Sequence, residues 1–305
     1  MNRTYLNLGL LVVVGGLGAA LWLGDRKDDA KKPLTALSPS AVERIAIEHP
    51  GSPAIKLAKQ DGVWKLLEPV AADTDSFEVS ALVGLADTSR EGVLEGASNL
   101  AELGLDPAAF RITLNDQTLD FGGDEPLKYR KYVRVAGGDV ALIQNPSSAA
   151  LDKDYSDLVS KNLLPEGAAI KRLALPGLSI EQNAAGQWTS AEHADAKASD
   201  LQAVVDAWTA AKSMWNGAEP VASVEGGEKV TVTLADDRVL NFVIAARDPQ
   251  FLLARPEIGV RYTLDKTLAE RMLGLPKPAP ATPAASPTDL PEAAAPTTDL
   301  PAPTP

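Results

Sequence analysis

Residues 42–47 read VERIAI and residues 170–175 read IKRLAL. At residues 44–47 and 172–175 large apolar side chains alternate with polar or small ones, which is the pattern of a strand with one buried face. Each is followed by a turn and a tryptophan, in residues 61–64 (DGVW) and 185–188 (AGQW). The glycine favours a hairpin turn, and the tryptophan begins the returning strand. The chain therefore contains an internal repeat of a strand-rich unit.

The remainder of each unit follows the same order of elements. An amphipathic helix comes next, then a hairpin at residues 112–121 or 232–242, then two further strands and a closing helix. The predicted helices are residues 76–89, 147–154, 199–214 and 267–273. Each unit thus contains three strands, a helix, four strands and a helix. This order predicts an α+β fold with antiparallel sheets and helices packed on one face.

The composition divides the chain into six segments. An uncharged apolar stretch lies near the amino terminus, and the chain after Pro276 is rich in proline, alanine and threonine. Such a tail buries too little apolar surface to offset its ordering entropy, so we expect disorder there. The predicted segments are a short tail at 1–4, a transmembrane helix at 5–24, a linker at 25–40, repeats at 41–165 and 166–275, and a disordered tail at 276–305.

Residues 5–24 (YLNLGLLVVVGGLGAALWLG) contain no charge. Twenty residues at about 1.5 Å each reach about 30 Å, the thickness of a bilayer core. The alternative is a cleaved signal peptide, but its apolar region is shorter and ends in small residues, whereas bulky Leu21, Trp22 and Leu23 lie here. We therefore expect an uncleaved single-pass anchor that places the chain in the lipid bilayer.

The charges that flank the anchor leave its orientation open. Arg3 precedes the apolar stretch, and Arg26, Lys27, Lys31 and Lys32 follow it. Counting lysine and arginine alone favours a cytoplasmic location for the large body. That count conflicts with a location of the large body outside the cytoplasm, and the orientation stays open.

Charge and composition exclude several classes of function. The formal net charge is −12 and the calculated pI is about 4.7, so the molecule as a whole repels phosphate backbones and nucleic acid is not an expected partner. The absence of cysteine excludes disulfides, thiolate nucleophiles and cysteine-based zinc sites. His49 and His193 are predicted to be exposed loop residues, and no catalytic, cofactor-binding or metal-binding residue is identified.

Residues 128–134 (KYRKYVR) form the one strongly basic and aromatic stretch. On a strand, Lys128, Arg130, Tyr132 and Arg134 share one face. One interpretation is a solvated strand face with cross-strand ion pairs. The other is a binding face for an anionic partner, a lipid headgroup or a polysaccharide, and these four residues are the candidate site.

Trp64 and Trp188 occupy equivalent positions in the two repeats. We interpret both as core residues, since a residue that defines the fold is needed in each copy. The alternative is a stacking surface for a sugar or a peptide.

Several short motifs resemble a known family. They are residues 42–47 (VERIAI), 62–65 (GVWK), 100–107 (LAELGLDP), 131–135 (KYVRV) and 140–143 (VALI). Over residues 37–164, and more loosely in the second repeat, the chain resembles the bacterial family called domain of unknown function 4340. The resemblance implies an envelope protein that faces the periplasm, encoded in some genomes beside ABC-type exporter components of the gliding-motility kind. It implies no catalytic residues.

Three functions follow as expectations. The first is a single-pass inner-membrane protein, non-enzymatic, whose periplasmic repeats bind a membrane protein complex such as an ABC-type transporter. The second is a carrier of lipid or another small ligand that uses a cleft between the repeats. A hydrolase of unrecognised type is the remote third, because the common catalytic motifs are missing.

Overall fold

The computed structural model describes residues 32–135, 137–144, 153–220 and 224–276. The predicted anchor at 5–24, most of the predicted closing helix at 147–154 and the tail at 277–305 lie outside this range. Within the described residues, no helix combines the length and the apolar character needed to cross a membrane.

The first unit forms a nine-stranded antiparallel sheet in the order β4-β3-β2-β1-β6-β7-β8-β9-β5. A helix, α1 (Ser76–Val83), follows the first four strands and continues as a 3-10 turn, Gly84–Asp87. The strands are β1 (Arg44–Glu48), β2 (Ile55–Gln60), β3 (Val63–Glu68), β4 (Ala72–Asp73), β5 (Arg90–Leu94), β6 (Phe110–Leu114), β7 (Gln117–Asp124), β8 (Arg130–Val135) and β9 (Val140–Gln144).

The second unit forms an eight-stranded antiparallel sheet in the order β12-β11-β10-β14-β15-β16-β17-β13. A short helix, α2 (Tyr155–Leu158), precedes it, and the unit contains α3 (Ala198–Thr209) and α4 (Lys266–Leu273). The strands are β10 (Ile170–Leu175), β11 (Leu178–Gln182), β12 (Trp188–Thr189), β13 (Trp215–Ala218), β14 (Glu228–Leu234), β15 (Val239–Ala246), β16 (Phe251–Arg255) and β17 (Val260–Leu264).

Apart from β4, the strand orders of the two sheets correspond one for one. The prediction of an α+β fold with antiparallel sheets is confirmed, but five strands rather than four follow the main helix of each unit. The first unit also contains a short strand before the helix, β4, that the prediction lacked. The other additional strands are β5 and β13, which close one edge of each sheet. Each contains a glycine, Gly92 or Gly217, and lacks a clear alternation of apolar and polar residues. Pairing with β9 or β17, rather than a local pattern, makes them strands.

Helices α1 and α3 are shorter than their predicted spans, whereas α4 matches its predicted span to within one residue. Helix α1 begins after Asp75, whose carboxylate accepts hydrogen bonds from the backbone N–H groups of Phe77 and Glu78. It ends at Val83, and the chain turns there into the 3-10 segment. Helix α3 ends at Thr209, because the residues beyond it turn to pair with the chain between the two units.

A continuous hydrophobic cluster contains the inner faces of both sheets and the helices that cover them. In the second unit Trp208 of α3 is fully buried, with its ring centroid 5.7 Å from that of Phe242, and its indole N–H donates to the carbonyl of Met272 at 2.8 Å. This bond ties α3 to α4 over the sheet. Leu34, within the predicted linker, is also fully buried, because its N–H pairs with the carbonyl of Thr88.

Residues 153–164, here called the connector, join the two sheets by backbone hydrogen bonds. On the side of the first sheet, the N–H of Ser160 donates to Asp73 at 2.8 Å, and that of Asp75 donates to Leu158 at 2.9 Å. On the side of the second sheet, the N–H of Ser213 donates to Lys161 at 2.8 Å. The connector therefore lies between the sheets and is bonded to both.

Asn216 of β13 is a buried polar residue on the inner face of the second sheet. Its side-chain amide donates to the carbonyl of Val159 at 2.8 Å and lies 3.3 Å from that of Ser156. The carbonyl of Ser156 also accepts the N–H of Val159, but the carbonyl of Val159 lies past the end of α2, and Asn216 supplies its donor from the other sheet. The hydroxyl of Tyr155 donates to the carbonyl of Gly259 at 2.6 Å and adds a second such contact.

We predict that Asn216→Ala lowers the free energy of unfolding by about 1–3 kcal/mol, because the carbonyl of Val159 at the end of α2 loses its donor. Urea unfolding measures the change. Asn162→Ala is the matched control on the connector, since the Asn162 side chain is exposed. Equal stability of the two variants would contradict this role for Asn216.

Candidate functional site

A cleft of about 960 Å³ opens between the two units, with the connector at its base. The first unit contributes the start of β3 and the first turn of α1, and the second contributes the segment before β13 and the β14–β15 turn. The contributing residues are 62–65, 73–77, 80, 160–162, 165, 166, 212–214 and 238. The cleft thus exists because the connector holds these two edges together.

Apolar side chains line the rim of the cleft and remain in solvent. Phe77 is 76% exposed, Val63 is 58% exposed and Met214 is 45% exposed. Val63 and Trp64 are brought here by the tight β2–β3 turn, in which Asp61 and Gly62 have positive φ. Phe77 is held by the cap at Asp75. Exposed apolar groups gathered on both sides of a cleft are typical of a binding surface.

The charged groups of the cleft are mostly paired within the protein. The ammonium of Lys65 lies 2.6 Å from the carboxylate of Asp73. Lys161 lies 3.6 Å from Glu78, a buried residue of α1. Among the described residues, Lys212 and Glu166 form no ion pair. The cleft is close to neutral, so its apolar rim is the feature that a partner would meet first.

A second, smaller cavity of about 530 Å³ lies on the other side of the connector. It is lined by His49 and by the polar residues around α2, including Asp154 and Asp157. Burial raises the pKa of Asp157, and the neighbouring charge of Asp154 raises it further. Asp157 accepts a hydrogen bond from the backbone of Asp154, and Asp154 caps Ser156, so both carboxylates serve the start of α2.

The prediction that both histidines are exposed is wrong, since each is partly buried. The ring of His49 packs against Phe110, with centroids 5.8 Å apart, and Nε2 of His193 lies 3.3 Å from the carbonyl of Gly177. Sequence could not reveal this, because the packing partners are distant along the chain. In the part of the chain that the structure describes, no group of three or more histidine and acidic residues is arranged to hold a metal ion.

The basic stretch lies at β8 and the turn before it. Arg130, Tyr132 and Arg134 occupy the strand face opposite buried Val133, whereas Lys128 lies in the turn. Arg130 forms a double hydrogen bond with Glu125, at 2.7 and 2.6 Å. Glu125 lies in the turn after β7, whereas Arg134 pairs across the strands with Asp120, so the ion pairing that the sequence suggested as one interpretation neutralises both arginines of this face.

Asp120 of β7 is the buried centre of these pairs. It accepts hydrogen bonds from Arg111 at 2.7 Å and from Arg134 at 3.0 Å. Burial on its own would raise the pKa of Asp120, but the bonds from the two guanidinium groups hold it below its ordinary value. Arg134 is thus committed to a structural contact on the sheet.

Trp64 and Trp188 differ in their surroundings. Trp188 is buried, and its indole N–H donates to Gln202 of α3 at 2.7 Å. Trp64 packs against the core but is partly exposed at the cleft, with the ammonium of Lys59 5.5 Å from its ring centroid. The core interpretation holds for Trp188, whereas Trp64 belongs both to the core and to the cleft.

The fold and the cleft define a strand-rich α+β protein in which two antiparallel sheets are joined along a connector. A family model described as Domain of unknown function (DUF4340) matches residues 64–250, more than half of the chain and parts of both sheets. The chain belongs to this family, as its motifs indicated. Neither the curated proteins nor the solved structures include a significant match to the chain.

We predict that Trp188→Ala lowers the free energy of unfolding by about 3–5 kcal/mol, as expected for the loss of a buried aromatic residue. Trp64→Ala should cost clearly less, because part of its ring is already in solvent. Chemical denaturation of the two variants under the same conditions makes the comparison. A larger loss for Trp64→Ala would contradict the assignment.

A second prediction concerns pH. Because the pKa of Asp120 is lower in the folded state, its contribution to stability is present above its unfolded pKa of about 3.9 and is lost as the pH falls below that value. Asp120→Asn should cost roughly 2–3 kcal/mol at neutral pH, and the difference from the unmodified chain should shrink below about pH 4. Urea unfolding over a pH series measures it, with Asp116→Asn in an exposed turn as the control. A difference that stays constant with pH would exclude this role for Asp120.

Proposed function

We propose that this protein is a non-enzymatic binding module, anchored by residues 5–24 in the bacterial inner membrane with its body in the periplasm. Its partner is a protein of a membrane complex such as an ABC-type transporter, and the cleft between the two units binds it. The exposed apolar rim formed by Phe77, Val63 and Met214 is the observation that carries the proposal.

The chemistry of the cleft supports a protein partner. Phe77 and Met214 are exposed in the free protein. When a partner covers them, each contributes to the free energy of binding at about 25 cal/mol for each Å² of apolar surface buried. Aromatic side chains supply much of the binding energy of protein interfaces. Because Lys65 and Lys161 are already paired, a partner segment that is itself mainly apolar fits better than a highly charged ligand.

The location rests on the sequence. The uncharged stretch at 5–24 has the length of a membrane span, and the family resemblance supports a periplasmic body. The count of lysine and arginine beside the anchor supports the opposite orientation. A reporter fused at residue 40, active only in one compartment, decides between the two, and a cytoplasmic signal would remove the periplasmic assignment.

Binding of a lipid or a small molecule in the same cleft is the second candidate. Its volume of about 960 Å³ falls within the usual range of ligand pockets, and its apolar rim suits an acyl chain. Native mass spectrometry of the purified chain would detect a co-purified ligand. A hydrolase remains the remote alternative, and assay of the chain against a panel of ester and peptide substrates tests it.

We predict that a photoreactive amino acid at position 77 forms crosslinks to one specific membrane protein in cells that produce the full chain. In a chain with Phe77→Ser and Met214→Ser, purified in parallel, recovery of that protein should fall at least about tenfold, the equivalent of about 1.4 kcal/mol. Affinity purification and protein mass spectrometry measure it.

Val93→Ser is the matched control for this experiment. Val93 is also an exposed apolar residue, but it lies on β5, at the opposite edge of the first sheet from β3. If the control loses the partner as fully as the double variant, the cleft is not the binding surface. If no partner is recovered from the intact chain, the protein-binding proposal fails.

A further inference from the structure

Residues 126–129, here called the tip, form the turn between β7 and β8. Leu127 is 87% exposed, the highest value for a large apolar residue in the described part of the chain, and Tyr129 is 74% exposed. Lys128 lies between them, is exposed, and forms no ion pair with any described residue. The tip therefore presents two apolar side chains to solvent, together with the exposed ammonium of Lys128, which lies within the electrostatic range of Glu125.

The tip is held rigidly in this exposed position. At its base the carboxylate of Glu125 accepts two hydrogen bonds from the guanidinium of Arg130. The N–H of Tyr129 donates to the carbonyl of Glu125 at 2.9 Å, and the N–H of Glu125 donates to the carbonyl of Arg130 at 2.7 Å. Tyr129 has a φ of 53°, which is uncommon for a residue with a side chain. The turn thus keeps Leu127 and Tyr129 from folding back onto the sheet.

The tip lies at the same end of the first sheet as the entry of the chain from the predicted anchor. Lys32 is bonded to β5, since its carbonyl accepts the N–H of Arg90 at 3.0 Å. Arg90 is opposite Ile143 of β9, which is opposite Lys131 of β8. Three strand spacings of about 4.8 Å place Lys32 about 14 Å from the start of β8. A guanidinium N–H of Arg130 also donates to the carbonyl of Glu91, at 3.3 Å.

The chain between the anchor and Lys32 is short. The eight residues that follow Gly24, residues 25–32, span at most about 28 Å when fully extended. With residues 5–24 in the bilayer, Lys32 stays within that distance of the membrane surface, and the tip, about 14 Å from Lys32 at the same end of the sheet, stays within about 42 Å of it. The tip is therefore within reach of the lipid headgroups.

We propose that the tip is a second membrane contact, in which Leu127 and Tyr129 enter the interfacial layer of the bilayer that holds the anchor. A tyrosine ring suits this layer, since its hydroxyl reaches water while its ring contacts the acyl chains. Lys128 adds an attraction to anionic headgroups, which the net charge of −12 otherwise opposes. The proposal rests on the anchor assigned under the proposed function. Contact at two points would fix the rotation of the body about its anchor.

The absence of cysteine allows a direct test. Single cysteines at Leu127, Tyr129, Val239 and Leu21 of the full chain are labelled with an environment-sensitive fluorophore and reconstituted into phosphatidylcholine vesicles, with and without phosphatidylglycerol. Val239 is an exposed apolar residue of β15 in the other sheet, and Leu21 lies in the anchor. We expect labels at 127 and 129 to shift to shorter wavelength and to be quenched by brominated lipid, as at 21, while the label at 239 is not.

Lys128→Glu should reduce the quenching at 127 in the vesicles that contain phosphatidylglycerol. If the labels at 127 and 129 behave like that at 239 while the label at 21 is quenched, the anchor stands and the membrane contact of the tip is overturned. If brominated lipid does not quench the label at 21, residues 5–24 are not a membrane anchor, and the proposed membrane contact of the tip is overturned as well. A wavelength shift at 127 without quenching by lipid would indicate that protein covers the tip, which also overturns the proposal.

Discussion

The backbone hydrogen bonds of the connector hold the two sheets side by side, and the rest of the architecture depends on them. Ser160 bonds to Asp73 of the first sheet while Lys161 accepts from Ser213 beside the second. Asn216 adds a buried side-chain amide at the end of α2, where the carbonyl of Val159 would otherwise lack a donor. Because unpaired buried carbonyls are costly, the two units favour this one arrangement over independent positions. The cleft, whose walls come from both units, exists only in that arrangement.

Ion pairs within the protein neutralise its basic strand and leave two other surfaces available for partners. The stretch at 128–134 is basic in sequence, but in the sheet each arginine lies beside a carboxylate of a neighbouring strand or turn. Because acidic residues are in excess in this protein, carboxylates are available to pair with these arginines. The large side chains that remain exposed at the other two surfaces are mainly apolar. The rim at Phe77 and the tip at Leu127 share that character. The first surrounds a cleft suited to a partner segment, and the second projects from the end of a sheet near the chain that leads to the anchor.

The local sequence predicted the strands in which the alternation of apolar and polar residues reflects the burial of one face. Strand β1 alternates strictly because it has one face in the core and one in solvent, and β10 alternates from Arg172 onward, after a register shift at its start. Strands β5 and β13 were missed, since a glycine interrupts their pattern and each owes its conformation to one neighbour. The basic strand was identified as a candidate site, but its charge partners lie on other strands and could not be read from spacing. No signal in the sequence pointed to Phe77 or Met214, because each becomes part of a cleft only when the two units meet.

The amino-acid sequence by itself determined the repeated α+β unit, the antiparallel sheets, the family, and the exclusion of cysteine-based chemistry. These follow from local periodicity, short motifs and composition. Tertiary structure alone decided how the two units face each other, which cations are neutralised, and which apolar side chains remain in solvent. Trp64 and Trp188 illustrate the reason, since they occupy the same place in the repeat. The indole N–H of Trp188 donates to Gln202 of helix α3, whereas Trp64 borders the cleft. Burial and pairing depend on neighbours that are remote along the chain, and a local pattern does not contain them.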